Sequence, residues 1–471
     1  MAHIKGLCYN ISMDLEYAVE YFMNHKGGKL ASPAVRFEAF KLLCEYFGHP
    51  ELSCPCIHVA GSKGKGSITT MAGNILKSAG FKTVGLYRSP AITHFTDRIS
   101  EVDSPFSPEV YKKAFDILKA GIENLRAENR IGRLTYYELV TLYGFLVFKE
   151  AGCDFAVFEV GVGGEYDATN VVQPKSAIIN TIELEHTEKL GSTLEEIARA
   201  KAGIIKENIP TVIGPQTTPG VKTVFKAAAK EKHAELLFIP DCLKTEYYLD
   251  DDNHLRMHID EIDVSLRLPG SFQATNALAA KLAVKLAVPT ITETAIKNGL
   301  ERAWLPGRFE VLSSRELINY PKIPYLIMDG AHTARSAAGT MDTLAVYRGL
   351  MAKQKTYDSC LTDFTLDEKP LLLFACAKDK KVGEIAKALA PHFSEVFLTS
   401  PGGFKTPDLP RLKSAFIKTG LKTIYAEDYN FAIKTALQTA NSKSLGLVVL
   451  GSFYLVGEVK NYLVRSSGSP W

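Results

Sequence analysis

Residues 56–81 read CIHVAGSKGKGSITTMAGNILKSAGF, and they decide the predicted fold. A short apolar run leads into a glycine-rich turn, and a segment with apolar residues at helical spacing follows and is closed by Gly80. This order predicts a strand, a loop and a helix. Glycines let backbone N–H groups close around a phosphate, and the N-terminus of the helix adds positive potential. The stretch therefore predicts an α/β sheet with an anion-binding loop.

The glycine-rich turn is a candidate nucleotide-binding loop. Lys65 can neutralise the β- and γ-phosphate oxygens of ATP, and the hydroxyl of Ser67 can reach Mg²⁺. The match to the common phosphate-loop pattern is incomplete, because Val59 stands at its first glycine and Gly66 at its usual hydroxyl position. An ordinary glycine-rich turn is the alternative. The residues of this loop assigned to ATP are Gly61, Ser62, Lys63, Gly64, Lys65, Gly66 and Ser67.

The chain on either side repeats the alternation of strand and helix. Apolar runs such as KTVGLY, DFAVFEVG and SAIINTI are separated by segments of helical period. Such alternation predicts an α/β fold with a mostly parallel sheet of the phosphate-loop type and helices on both faces. Period-two alternation between about residues 239 and 268 predicts a small antiparallel addition.

A break in the pattern at WLPG, residues 304–307, marks the predicted domain boundary. We predict an N-terminal ATP-binding domain over residues 1–303. Beyond the break, YLIMDG, LLLFAC and LGLVVLG are candidate strands between helical stretches, which predicts a smaller, Rossmann-like α/β domain over residues 304–471. Residues 347–369 are the least patterned, and we predict a surface insertion there.

Length and composition favour an ordinary soluble globular protein of two domains. The 471 residues exceed the length at which one hydrophobic core usually stops growing. A formal net charge of +3 gives no field strong enough to predict nucleic-acid binding. Eight scattered cysteines favour free thiols in a reducing compartment. Acidic residues at the N-terminus and the lack of a long apolar run predict a cytoplasmic protein without a signal peptide or membrane span.

Charged residues stand at the ends of further predicted strands, where α/β sheets bind ligands. Glu159 ends DFAVFEV, and a carboxylate there can bind Mg²⁺. His186 stands in an acidic group after SAIINTI and is a candidate metal ligand, with Lys201 on the helix that follows. An exposed residue of no special function is the alternative for each. Candidates in the second domain are Asp329 and His332, at the end of YLIMDG, and Arg308, just past the Pro-Gly break. A structural cap or an ion pair is the alternative for these residues.

Nine motifs occur in order across most of the chain. They are HVAGSKGKGS, GLYRSPAITHFTDRIS, LTYYELVT, FEVGVGGEYDATNVV, ELEHTEKLGSTLEEIARAKAGIIK, GSFQATNA, WLPGRFE, MDGAH and GSFYLVGEV. Together they resemble the folylpolyglutamate synthase/dihydrofolate synthase family, within the wider group of Mur-type ligases. The resemblance implies an ATP-dependent amide ligase. Such an enzyme activates the carboxylate of a folate or dihydropteroate as an acyl phosphate, couples it to L-glutamate, and releases ADP and phosphate.

The resemblance also implies roles for single residues. Ser67 and Glu159 would bind a first Mg²⁺, and His186 would help to hold a second, assisted by a carbamylated Lys201. The residues implied in catalysis are Lys65, Lys201, His186 and Arg308. Those implied in nucleotide binding outside the loop are Gln273, Asn276, Arg308, Asp329 and His332. Those implied near the pterin-bearing substrate are Ser89, Pro90 and Arg98.

Several positions depart from the family pattern and leave the substrate open. Lys63 replaces the usual Asn, Glu185 replaces Asp, Phe272 replaces His or Tyr, and Thr333-Ala334 replaces Asn-Pro. One alternative is a Mur-type ligase for another carboxylate and amino acid. Another is a non-catalytic relative that binds nucleotide, which the retained set of site residues argues against. The expected partners are small-molecule substrates only, and the expected state is a monomer.

Overall fold

The strand before the glycine-rich loop lies in the middle of a seven-stranded sheet. In this computed structural model, which describes residues 18, 20–22, 31–91, 94–216, 218–355, 368–402 and 408–467, that strand is buried along its whole length. The strands are β1 (Cys56–Ala60), β2 (Val84–Tyr87), β3 (Ile99–Glu101), β4 (Phe155–Glu159), β5 (Ser176–Ile179), β6 (Thr211–Ile213) and β7 (Leu236–Phe238). They lie in the order β3-β2-β4-β1-β5-β6-β7. The pairs are parallel except for β2 with β3, so the predicted mostly parallel sheet is confirmed.

Helices cover both faces of this sheet. They are α1 (Pro33–Tyr46), α2 (Lys65–Ser78), α3 (Pro108–Ala127), α4 (Tyr136–Glu150), α5 (Thr187–Leu190), α6 (Leu194–Ala202), α7 (Pro219–Glu231), α8 (Ser271–Ala287) and α9 (Glu293–Arg302). Neighbouring residues of a strand face opposite sides. Tyr87 joins an apolar cluster with Leu118 of α3 and Leu142 of α4. Leu86 faces α2, where a Cβ on Gly73 would meet its Cδ2 at 2.5 Å. The predicted α/β class is therefore confirmed.

The C-terminal part of the chain contains two further sheets. The first comprises β8 (Thr245–Leu249), β9 (Leu255–Ile259) and β10 (Val264–Leu266). Its strands lie in the order β10-β9-β8 and are antiparallel, as predicted. The second comprises β11 (Glu310–Ser313), β12 (Tyr325–Met328), β13 (Leu371–Phe374), β14 (Glu395–Leu398), β15 (Lys422–Tyr425) and β16 (Leu447–Leu450). Its order is β11-β12-β16-β13-β14-β15, and its pairs are parallel except β11 with β12.

The helices that accompany the second of these sheets complete a smaller α/β domain. They are α10 (Ala334–Lys355), α11 (Val382–Leu389), α12 (Leu409–Ile417), α13 (Tyr429–Lys443) and α14 (Phe453–Ser467). Short 3₁₀ segments elsewhere in the chain are Pro50–Leu52, Phe95–Asp97, Ala168–Val171, Asp260–Ile262 and Ala390–His392. Among the residues described, no helix has both the length and the apolar character needed to cross a membrane.

The chain divides into two compact units that differ from the predicted domains in one segment. Unit 1 comprises residues 1–243 and 274–303, and unit 2 comprises residues 244–273 and 304–471. Residues 244–273, assigned to the N-terminal domain from the sequence, thus belong to unit 2. The physical reason is packing, because Leu255 lies in the same apolar cluster as Phe309 and Tyr347.

The prediction of a surface insertion over residues 347–369 is wrong for its first part. Helix α10 continues to Lys355, and Tyr347 and Met351 are buried against the core of unit 2. Their spacing of four residues places both on one face of the helix. Residues 356–367 lie outside the described residues.

His254 connects the three-stranded sheet to the rest of unit 2 through an ion pair that depends on pH. Its Nε2 lies 3.0 Å from Oε2 of Glu316, and its Nδ1 lies 3.7 Å from Oδ2 of Asp250. The hydrogen bond to Glu316 raises the pKa of His254 above its usual 6.5. A raised pKa in the folded state means stabilisation that is complete below pH 6.5 and is lost as the pH rises through the folded value.

We therefore expect His254→Gln to lower the free energy of unfolding of unit 2 by about 1 kcal/mol or less at acidic pH. Above the folded pKa of His254 the difference from the wild-type protein should fall towards zero. Denaturant titrations at one pH below 6.5 and at one well above it test this. An equal difference at both pH values would contradict a role for the charged imidazole.

Candidate active site

Three neighbouring parallel strands bring the predicted site residues to one edge of the seven-stranded sheet. β4, β1 and β5 lie side by side, and Val59 of β1 pairs with Glu159 of β4. The glycine-rich loop follows β1, Glu159 ends β4, and residues 180–186 follow β5. Because the carboxyl ends of parallel strands meet at the same edge, residues far apart in the sequence become neighbours there.

Asn180 holds the glycine-rich loop in place. Its Nδ2 donates hydrogen bonds to the carbonyl of Lys63 and to Oδ1 of Asn276, each at 2.9 Å. Gly64 adopts a φ of +79°, and a Cβ there would lie 2.4 Å from Nδ2 of Asn180 and 2.5 Å from Oδ1 of Asn276. Glycine fits this position because it adopts a positive φ without strain and has no Cβ.

The loop ends in the first turn of α2. Ser62 is tied to the segment after β5, because its N–H donates to the carbonyl of Thr181 at 2.9 Å and its Oγ to that of Glu183 at 3.2 Å. Gly66 and Ser67 lie in the first helical turn and are buried. The N–H groups of a first turn have no partner within the helix. The loop and the helix N-terminus therefore form an arrangement suited to an anion.

Two ammonium groups meet at the carbonyl of Gly61. Lys65 Nζ and Lys201 Nζ each donate a hydrogen bond to this oxygen at 3.0 Å. Lys201 also forms an ion pair with Glu185, with 2.8 Å between Nζ and Oε1. Lys63 adds a further positive charge near Glu185. The three lysines create a positive potential at the loop, which favours a phosphate-bearing ligand.

The pair of Lys201 and Glu185 is strongly perturbed by its surroundings. Lys201 is 1% exposed, and its burial lowers the pKa to about 8, although the carboxylate of Glu185 opposes this change. Burial by itself raises the pKa of Glu185, but the charges of Lys201, Lys65 and Lys63 together lower it to about 2. The carboxylate is thus ionised at neutral pH, and the buried amine has an appreciable neutral fraction. Perturbed groups of this kind are concentrated at functional sites.

Glu159 lies against the segment predicted to be near the pterin-bearing substrate. Its side chain is 3% exposed, and its Oε2 accepts a hydrogen bond from the N–H of Ser89 at 3.2 Å. Arg98 Nη1 donates to Oγ of Ser89 at 3.4 Å, and Pro90 follows directly in the chain. The charge of Arg88 also interacts with Glu159. The structure thus brings these predicted residues together, and it adds Arg88.

His186 belongs to the segment that follows β5. It adopts a φ of +47° before α5, its side chain is 36% exposed, and its Nδ1 lies 3.9 Å from Oε1 of Glu188. Its chain neighbour Glu185 reaches the buried Lys201. Within the described part of the chain, no three His, Cys, Asp or Glu side chains form a ready-made metal site. A divalent cation at this edge would therefore take part of its ligands from water or from a bound phosphate.

Helix α8 carries two predicted nucleotide contacts that fall in different units. Asn276, in unit 1, is 2% exposed and accepts the hydrogen bond from Asn180 beneath the loop. Gln273, in unit 2, is fully buried, and its N–H donates to the carbonyl of Gly270 at 2.8 Å. Phe272, where the family usually has a polar ring, is half exposed.

Two of the predicted residues of unit 2, Arg308 and His332, lie against the ring of Phe453. Arg308 lies over this ring with 4.3 Å from its Cζ to the centroid, and the ring of His332 lies 6.4 Å away, edge to face. Asp329 accepts hydrogen bonds from the N–H groups of Phe309 at 2.8 Å and Ala331 at 2.7 Å. Burial raises the pKa of Asp329, while the charge of Arg308 lowers it. Unit 2 thus contains a compact group of an arginine, a carboxylate and an imidazole.

Sequence reasoning missed three residues that organise these sites, namely Asn180, Arg88 and Phe453. A signal was available for Asn180, because it is a polar residue at the carboxyl end of the apolar run SAIIN. Phe453 lies in the motif GSFYLVGEV, but its contacts with Arg308 and His332 depend on the fold.

Comparisons with known proteins identify the family of the chain. The Mur ligase middle domain model matches residues 59–284. The dihydrofolate synthase/folylpolyglutamate synthase of Bacillus subtilis is 30% identical over 434 residues, which cover 90% of this chain and 94% of the relative. The chain belongs to the dihydrofolate synthase/folylpolyglutamate synthase family. The resemblance in its motifs is thereby confirmed, and so is the predicted enzyme class, an ATP-dependent ligase.

Solved structures of this family share the fold of the ligase. The crystal structure of folylpolyglutamate synthase from Thermotoga maritima has a TM-score of 0.76 at 28% identity, with 97% of each chain covered. The Mycobacterium tuberculosis folylpolyglutamate synthase, solved with ADP and AMPPCP, has a TM-score of 0.77 at 25% identity. The alignment covers 92% of this ligase and 96% of that chain.

Proposed function

We propose that this ligase adds L-glutamate to a folate, or to dihydropteroate, through an acyl phosphate formed from ATP. The family of the chain supports this proposal. The observation that carries it is the loop between β1 and α2, where Lys65 and Lys201 both reach the carbonyl of Gly61. Such a concentration of positive charge at a helix N-terminus suits the phosphates of a nucleotide.

Lys65 and the loop amides would hold the phosphates of ATP. Lys65 is the first residue of α2 and is only partly buried, so its ammonium can turn from the Gly61 carbonyl to a γ-phosphate oxygen. A carboxylate is a poor acylating agent, and it must approach a triphosphate of the same charge. The lysines would reduce this repulsion, and positioning of the two reactants would supply much of the remaining acceleration.

The donor set at this edge of the sheet suits Mg²⁺. Mg²⁺ keeps several waters and takes one or two protein oxygens together with substrate phosphates. Ser67 offers a hydroxyl and Glu159 a buried carboxylate beside the loop, and we propose them as ligands of a first ion. We propose His186 and Lys201 for a second ion. Bound Mg²⁺ would supply charge compensation for the transferred phosphoryl group.

A carbamylated Lys201 would provide an oxygen ligand from a buried lysine. The neutral amine attacks CO₂, a nitrogen–carbon bond forms, and a proton leaves to solvent. The lowered pKa of Lys201, about 8, supplies the neutral amine. The resulting negative charge would lie near the carboxylate of Glu185, so a cation is needed to hold the two groups together.

Ser89, Pro90 and Arg98 are the proposed contacts of the pterin-bearing substrate. Their support is the hydrogen bond from Ser89 to Glu159, which links this segment to the proposed metal ligand. The nucleotide contacts expected for Gln273, Asn276, Arg308, Asp329 and His332 stay a prediction. After the carboxylate attacks the γ-phosphorus and ADP leaves, the amine of glutamate would attack the acyl carbon and expel phosphate.

Phosphate release from the purified protein tests this function directly. The assay contains ATP, Mg²⁺ and glutamate, and it compares tetrahydrofolate, 7,8-dihydropteroate and no pterin. We expect stimulation by at least one of the two pterins and none without glutamate. Stimulation by dihydropteroate would add dihydrofolate synthase activity. No stimulation by either, with stimulation by another carboxylate, would instead favour the alternative Mur-type ligase.

We propose a cytoplasmic monomer. Support for a reducing compartment comes from the cysteines within the described residues, which are free thiols. They are Cys44, Cys54, Cys56, Cys153, Cys242 and Cys376. Size-exclusion chromatography with light scattering would test the monomeric state.

A further inference from the structure

An open groove of about 840 Å³ lies in unit 2 between helices α11 and α12. Its lining comes from both helices and from the turns that follow them. The two helices connect β13 with β14 and β14 with β15, which are parallel neighbours, so the helices run in the same direction. The first turns of both helices therefore lie at one end of the groove, and their last turns lie at the other.

Positive charge predominates along this groove. Among the described residues, its lining contains one carboxylate, that of Glu384, and four cationic side chains, those of Lys381, Lys387, Arg411 and Lys418. Lys381 and Arg411 lie at the end with the first turns, and Lys387 and Lys418 lie towards the other end. The two cations of each helix are six or seven positions apart, which is about 9 to 10 Å along the helix axis. The groove therefore offers positive charge at two places along its length.

The two lysines at the last turns are available to a ligand. Both are exposed, and neither forms an ion pair or a side-chain hydrogen bond with another described residue. At the first turns, Nζ of Lys381 lies 3.4 Å from Oε1 of Glu384. There Nε of Arg411 also lies 3.3 Å from Oδ2 of Asp408. Because the side chains of both pairs are partly or mostly exposed, these pairs contribute little to stability and can rearrange around an added anion.

The remaining lining is mostly small or apolar. It includes Ala390, Pro391, Ala415 and Leu421. Apart from its chain neighbours and the nearby helix backbone, a Cβ on Gly383 would meet no heavy atom within 4 Å, so the groove is open at this position. Such a surface suits methylene groups, because burying them removes apolar area from water. The groove therefore fits a flexible chain that carries several negative charges with methylene groups between them.

We propose that this groove binds the glutamate tail of the ligase's own products. The inference rests on the proposed function, in which each turnover adds one glutamate, and so one more free carboxylate, to the substrate. An extended chain covers about 3.3 Å or more per residue, so a tail of several glutamates can reach the cations at both ends. The groove belongs to unit 2, whereas the glycine-rich loop belongs to unit 1.

Fluorescence anisotropy of a labelled peptide measures this binding. The probe is a chain of five glutamates that are joined through their side-chain carboxyl groups and carry no pterin. We expect the wild-type protein to bind it with an affinity that falls as the ionic strength rises, because salt screens exposed charges. The double variant Lys387→Gln/Lys418→Gln should bind it about 5-fold more weakly. Lys413→Gln/Lys434→Gln removes two exposed charges of unit 2 outside the groove lining, and this matched control should bind as the wild-type protein does.

Gly383→Asp tests the groove by adding a charge. The position is exposed and is the second residue of α11, where a carboxylate is favourable near the helix N-terminus. The new carboxylate would lie one helical turn before Lys387 and compete with the ligand for its ammonium. We expect binding of the peptide to weaken by about 5-fold or more and the melting temperature to stay the same or rise. Gly349→Asp, at an exposed position on α10 with the same open surroundings, is the matched control.

A peptide of five glutamates joined through their main-chain carboxyl groups tests another occupant, an acidic segment of a partner protein. In the glutamate tail, the methylene groups belong to the main chain and can lie on the apolar lining while the carboxylates face the lysines. In the protein segment, the polar main chain would lie there instead, so we expect weaker binding. Equal or tighter binding of this peptide would favour the protein segment and overturn the tail as the occupant.

Two further results would overturn the inference. One is a wild-type protein that does not bind the tail peptide. The other is wild-type affinity in both Lys387→Gln/Lys418→Gln and Gly383→Asp. The peptide assay contains neither ATP nor a pterin, so its outcome is separate from that of the proposed function. The proposed function fails on different evidence, namely a wild-type protein that releases no phosphate with any pterin.

Discussion

Lys65→Ala is expected to lower kcat of the ligase reaction about 10³-fold, because it removes charge compensation at the transferred phosphoryl group. Lys65 Nζ donates to the carbonyl of Gly61 at 3.0 Å and stands at the first position of α2, where a γ-phosphate would lie. The ammonium is only partly buried, so the fold should tolerate its loss. Phosphate release with saturating ATP, Mg²⁺, folate and glutamate measures the effect.

Lys82→Ala is the matched control for this variant. Lys82 is exposed, and its removal changes the net charge by the same amount. We expect this control to keep the wild-type rate and Lys65→Ala to keep the wild-type melting temperature. A wild-type rate in Lys65→Ala would refute the assignment of this lysine to ATP.

Lys201→Ala should lower kcat about 10²-fold, because the lysine, carbamylated or not, contacts the glycine-rich loop that is proposed to bind the phosphates. The variant also leaves the carboxylate of Glu185 without its ion-pair partner at 2.8 Å, which should cost about 3 kcal/mol of stability. If the functional form is a carbamate, a small carboxylate such as acetate, or a high concentration of Mg²⁺, should restore part of the activity. Turnover with and without acetate measures this.

Glu185→Gln tests whether activity depends on the ion pair between Lys201 and Glu185 or on Lys201 itself. It neutralises the partner of Lys201 and keeps the shape of that partner. A role of Lys201 as a metal ligand predicts a much smaller loss in Glu185→Gln than in Lys201→Ala. Equal losses would show that the ion pair matters rather than a carbamate, and full activity of Lys201→Ala without acetate would exclude a requirement for a carbamate.

Much of the fold was predictable because it depends on local patterns. The strand, loop and helix of residues 56–81 follow from an apolar run, glycines and a helical period, and the structure confirms them as β1, the loop and α2. The motifs also predicted the family, which the relatives confirm. The failure at residues 347–355 has a local cause as well. Tyr347 and Met351 have helical spacing, but the polar residues that follow them favoured the prediction of a surface insertion.

The candidate site was predictable only as a set of separate residues. Glu159, His186 and Lys201 could be chosen because they stand at strand ends or in family motifs. The contacts within the site could not be predicted, because they join residues far apart in the sequence. Asn180 binds the carbonyl of Lys63, 117 positions away, and Lys201 binds that of Gly61, 140 positions away. The assignment of residues 244–273 to unit 2 also depends on contacts between residues far apart in the sequence, because Leu255 lies in one apolar cluster with Phe309 and Tyr347.

By itself, the sequence determined the type and order of most elements and the family of the ligase, and it predicts that residues 61–67 bind phosphate. These properties reside in short stretches, where periodicity and the conformational freedom of glycine act over a few residues. Only the tertiary structure decided that Lys65 and Lys201 share one carbonyl oxygen and that Glu159 accepts a hydrogen bond from Ser89. The physical reason is that such contacts depend on which strands lie side by side, and no local pattern contains that information.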